Sequence, residues 1–92
     1  MSRTLAGLSA LALLAACAMP PQGVGPQDLK NFDEAVASVG CTLVTEADYL
    51  PVELQTGLTL EQLQEIAAFK VAAKEAVKLE NGGIKLITGA CA

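Results

Sequence analysis

The chain has 92 residues, six basic and ten acidic side chains, three cysteines and no histidine. A chain this short supports one small core, and without histidine or two pairs of thiols it lacks the usual ligands of a zinc site. Half of its residues are hydrophobic, and the N-terminal stretch is richer in them than the remainder, so composition has to be read segment by segment.

Met1-Ser2-Arg3 is a short basic start, and Thr4 to Ala16 is almost purely Leu and Ala. That run matches the apolar core of an export signal and falls short of the ~18–20 residues of a spanning helix. It ends in Leu14-Ala15-Ala16-Cys17, which resembles the lipobox of bacterial lipoproteins. The resemblance implies a signal peptide over residues 1–16, cleavage before Cys17, and lipidation of Cys17. It implies a chain anchored in the cell envelope and facing the periplasm. Ala18 follows the cysteine where inner-membrane retention typically uses Asp, which inclines the expectation to the outer membrane. Each buried methylene contributes ~0.8 kcal/mol, so two or more acyl chains hold a protein stably on a membrane. The same residues leave a second option open, because Ala16-Cys17-Ala18 also reads as the small-x-small cleavage site of a freely secreted protein.

Removing the signal takes away only Arg3 among the charges, leaving five basic against ten acidic residues. Met19 to Pro26 is rich in Pro and Gly. With Cys17 it is expected to form a lipidated tether over residues 17–26 that reaches at most roughly 25–30 Å. A globular domain is expected over residues 27–92. Cys41 and Cys91 are the two thiols left, and in an oxidising compartment they are expected to pair. Closing that loop of ~50 residues restricts the unfolded chain by about 4 kcal/mol in the chain-entropy view.

Within the domain, Leu29, Phe32, Val36 and Val39 make a one-faced helical stripe over Asp28 to Val39, with Gly40 as its C-terminal cap. Cys41 to Val44 is β-prone. Thr45 and Asp48 resemble a capping pair opening a short helix from Glu46 to about Leu54, limited or kinked by Pro51. Thr56-Gly57 reads as a turn, and Thr59 with Gln62 is a capping box for the longest helix. That helix has two possible ends. Asn81-Gly82, flanked by alternating Val77 to Glu80 and Ile84 to Leu86, argues for a hairpin after about Ala73. Ile66, Phe69, Ala73, Ala76 and Val77 argue for a longer helix. The hairpin reading is preferred.

Taken in order, helix, strand, helix, helix and hairpin resemble a winged helix, an α+β and mainly α arrangement. That fold pairs its first strand with its last, which would bring Cys41 near Cys91 and agrees with the expected disulfide.

The domain offers little chemistry. Its carboxylates are explained by helix starts and exposed faces, and no glycine-rich phosphate loop precedes a helix, so no enzymatic activity and no cofactor are expected. Asp28, Asn31, Asp33 and Glu34 fall inside a helical stripe, against a calcium loop. Nucleic acid is expected to be excluded as a partner, because the exported domain has a negative balance and no Arg; Lys70, Lys74, Lys78 and Lys85 are read as a solvated face. The remaining expectation is a lipid-anchored, non-catalytic interaction module with an envelope protein partner. Tyr49, Leu50, Pro51 and Val52, placed in an irregular segment, are the candidate contact patch, against the alternative that Leu50 and Val52 simply pack on the core. A partner-free structural lipoprotein of the cell wall or outer membrane is the other functional class.

Overall fold

The computed structural model describes residues 19–92; the signal-peptide reading and Cys17 lie outside them. Helix α1 spans Pro26–Ser38, and Gly25 caps it by donating its N–H to Asp28 Oδ2 at 2.9 Å. Pro26 suits the first helical position, where no N–H is needed. The inward face of α1 is Phe32, Ala35 and Val36. Its end is a tight left-handed turn, with Gly40 at φ +97° and Cys41 at φ +70°. A non-glycine residue is uncommon there. Cys41 is fixed on three sides, donating to Val36 O at 2.9 Å, accepting from Leu86 N–H at 2.9 Å, and bonding covalently to Cys91.

Strand β1 is Thr42–Leu43 and is followed by α2, Glu46–Thr56. Asp48 Oδ2 accepts from Val44 N–H at 2.9 Å and Thr45 N–H at 3.0 Å, so one carboxylate satisfies two backbone donors at the helix start. Helix α2 continues through Pro51 and stops at Gly57, φ +74°. Helix α3, Leu60–Ala72, opens with the Thr59 and Gln62 box: Gln62 N–H donates to Thr59 Oγ1 at 3.1 Å, and Thr59 N–H to Gln62 Oε1 at 3.0 Å.

The choice at the end of α3 goes to the hairpin. Lys74 turns left-handed at φ +62°, and Glu75 N–H closes on Lys70 O. Strands β2 (Ala76–Lys78) and β3 (Ile84–Leu86) pair antiparallel, with Ala76 opposite Leu86 and Lys78 opposite Ile84. Their connection is longer than a two-residue Asn-Gly turn. Gly82 N–H bonds Leu79 O, and Asn81 Oδ1 accepts from Gly83 N–H. Gly83 is required for space, because a Cβ there would lie 2.5 Å from Leu43 O and 2.8 Å from Val44 Cα.

The sheet order is β1-β3-β2, and Thr42 faces Lys85 across the first pair. The first strand therefore pairs with the last, giving a winged-helix-like α+β topology. A short 3₁₀ turn, Gly89–Cys91, carries Cys91 to Cys41, with Cα atoms 5.6 Å apart. The core lies between the three helices and one sheet face: Phe32, Leu43, Val52, Leu63, Ile66 and Leu86 are fully buried.

Structure begins earlier than the expected tether allows. Val24 is only 8% exposed and donates its N–H to Pro21 O at 3.2 Å, so the stretch from Pro21 belongs to the domain.

Candidate functional site

The expected contact segment, Tyr49 to Val52, is regular helix. Pro51 removes one intrahelical hydrogen bond, but capping by Asp48 and the packing of Val52 hold α2 together across it. Helical geometry then divides the four residues. Val52 is fully buried in the core and has no surface to offer, which removes it from the patch. Tyr49 packs half-buried against the core, and that burial raises its phenol pKa above the ordinary value. Pro51 is partly buried. Leu50 alone of the four faces outward, 55% exposed.

One turn further on stands Leu54, 80% exposed, which sequence reasoning missed. The signal was available: Leu50 and Leu54 are spaced i, i+4, so an α2 that buries Val52 places both on its outer side. The sheet adds two more exposed apolar side chains, Val77 and Ile87. Ala76, Ile84 and Leu86 point inward, so Val77, Lys85 and Ile87 occupy the opposite face by strand alternation.

Lys70 departs most from expectation. It was read as part of a solvated lysine face, yet it is 3% exposed. It falls on the buried stripe Leu63, Ile66, Ala67 and Lys70. Its ammonium donates to Asp33 Oδ2 at 3.1 Å, lies 3.0 Å from Oδ1, and reaches Glu75 Oε1 at 3.5 Å. One cation thus ties α1, α3 and the segment entering β2. Lys74 lies beyond the end of α3. The outward residues of α3 are Glu61, Gln64, Glu65, Ala68 and Ala72.

Beside this clasp, Lys30, Asp33 and Glu34 of α1 and Glu75 face the turn at 88–90 across an open cleft of about 380 Å³. Among the described residues, no group of three or more Cys, Asp or Glu side chains is placed to hold a metal ion. The carboxylates have local duties: Asp28 and Asp48 at helix starts, Asp33 and Glu75 on Lys70. Two backbone N–H donors, Thr45 first and Val44 second, hold Asp48 below the usual carboxylate range.

The exclusion of nucleic acid as a partner needs correcting. It rested on the negative charge balance, the absence of Arg from the exported domain and the export signal itself, whereas the chain folds into a winged-helix-like arrangement, an architecture that typically engages nucleic acids. Net charge speaks to steering and non-specific attraction, not to fold, so it does not close that possibility. Lys78 and Lys85 are the exposed cations on the hairpin.

No helix among the described residues is long and apolar enough to cross a membrane. Comparison with protein-family models, with curated proteins and with solved structures gave no match.

Proposed function

We propose that the chain is a non-catalytic docking module, carried on the periplasm-facing side of a bacterial envelope membrane by lipid on Cys17. The observation that carries the docking half is the outer side of α2, where Leu50 and Leu54 stand one turn apart in solvent. Exposed leucines at single positions are ordinary. Two in register on a helix whose opposite side is already anchored by Val52 leave an apolar strip that folding does not use. The anchor half is supported by the resemblance of Leu14 to Cys17 to a lipobox.

Purification from gently solubilised membranes tests both halves. Intact mass should give acyl chains on a chain starting at Cys17, and one protein should co-purify in fixed stoichiometry. Leu50→Asp with Leu54→Asp should lose that partner while staying on the membrane. An unlipidated chain beginning at Met19 would remove the anchor, and full capture by the double variant would remove the α2 surface.

The fold favours a second reading, nucleic-acid binding through the hairpin lysines Lys78 and Lys85. A duplex titrated at several salt concentrations separates the two. Under this reading, log K falls with log salt, and Lys78→Ala with Lys85→Ala shallows the slope by about 0.9 per lost phosphate contact. Under the docking reading, the duplex affinity stays weak and is unchanged by Leu54→Asp.

A further inference from the structure

The reach of the anchor is set by where the fold begins. The turn closed by Val24 N–H on Pro21 O, with Val24 buried, makes Pro21 the first residue held by the domain. Only Ala18, Met19 and Pro20 separate it from Cys17. Even fully extended, that stretch spans at most about 14 Å, half of what an unstructured segment to residue 26 would allow. The domain therefore has no room to stand away from whatever holds Cys17.

The side that faces the anchor is also defined. Met19, 67% exposed, and Pro21 border a shallow groove of about 300 Å³ whose other walls are Glu65, Ala68 and Phe69 of α3. We infer, resting on the lipidation of Cys17 proposed above, that this end of the domain lies on the lipid bilayer that carries the anchor. Met19 and the Ala68 side of α3 meet the headgroup region. Tether length sets the contact, and the side chains suit it: a thioether, a proline, a small alanine and a half-buried phenylalanine fill the region nearest the anchor. Glu65, which lines the same groove, gives no attraction to anionic headgroups and keeps its carboxylate on the wet side of the contact, so acidic lipid is not required. A partner of the α2 surface is accordingly met at the membrane surface.

The chain has no tryptophan, so a single introduced one reports unambiguously. Met19→Trp and Ala68→Trp are made separately in the full chain and purified in acylated form. Both replace exposed residues, and Met19 lies outside any helix or strand. Each protein is reconstituted into zwitterionic phosphatidylcholine vesicles with brominated acyl chains. Quenching and a blue shift are expected for both tryptophans. Inserting a long Gly/Ser linker between Ala18 and Met19 should abolish the quenching at 68 and leave vesicle attachment intact. Unquenched emission from both positions, in protein whose mass confirms acylated Cys17, overturns the inference. Quenching at 68 that survives the long linker overturns the claim that tether length imposes the contact. Protein without acyl chains fails at the mass measurement, which separates loss of the lipidation reading from loss of this one.

Discussion

The outer side of α2 and the inner side of α3 invert the usual rule in opposite directions. One leaves Leu50 and Leu54 in solvent, and the other buries Lys70 beneath the core stripe of Leu63, Ile66 and Ala67. The difference teaches where to look for function. The buried lysine is fully accounted for within the fold, because Asp33 and Glu75 meet its ammonium and its stem packs along the stripe. The exposed leucines take no part in the buried core. The polar anomaly is structural, and the apolar one is available for binding.

Perturbations of stability mark the frame within which that comparison is made. Reducing the Cys41–Cys91 bond releases a loop of 50 residues, and should cost about 4 kcal/mol by chain entropy. Denaturant melts with and without reductant measure it, and two alkylatable thiols in the non-reduced protein would contradict the bond. Leu63→Ala, in the fully buried stripe, should cost about 3 kcal/mol.

Lys70 sharpens the contrast directly. Lys70→Ala should cost about 2 kcal/mol, because two carboxylates lose a charged hydrogen-bond donor and the stripe loses its stem. Both carboxylates are partly exposed and can rehydrate, which keeps the figure below that of a sealed pair. Lys70→Met keeps the stem and should recover most of the loss. If Met is as damaging as Ala, the ion pairs carry the site and packing does not.

A smaller effect follows pH. Asp48 is held below its ordinary value of 3.8 by the donors it caps. Its contribution is present above that value and is lost as pH falls through the lower folded pKa. Asp48→Asn should flatten that acid limb of the stability profile. An unchanged profile would mean the cap is energetically silent.

Much of the fold was legible. Thr45 with Asp48, and Thr59 with Gln62, announced two helix starts, and Asn81-Gly82 marked the reversal between β2 and β3. The pairing of Cys41 with Cys91 followed from their being the two thiols left once Cys17 is set aside, and first-to-last strand pairing agreed with it. What was hidden depended on tertiary context. Lys70 was assigned to solvent by its charge, although its spacing from Leu63 and Ile66 places it inward. Pro51 suggested an irregular segment, but one lost hydrogen bond does not break a helix capped at one end and packed through Val52. Residues Pro21 to Val24 read as linker because turn residues say nothing of whether a lone valine finds a core. Leu54 was missed because its i, i+4 spacing from Leu50 points outward only once Val52 is taken as the buried residue of α2, and the sequence left both Leu50 and Val52 as candidates for the core.

The smallest expected change in stability is also the most informative. Leu54→Asp and Lys70→Ala should be compared in one experiment that records melting temperature and capture of the proposed membrane partner. Leu54→Asp should melt within about 0.5 kcal/mol of wild type and lose the partner, while Lys70→Ala lowers the melt by about 2 kcal/mol and keeps the partner. A Leu54→Asp protein that melts early, or that captures the partner as well as wild type, would contradict the assignment of the α2 surface to docking.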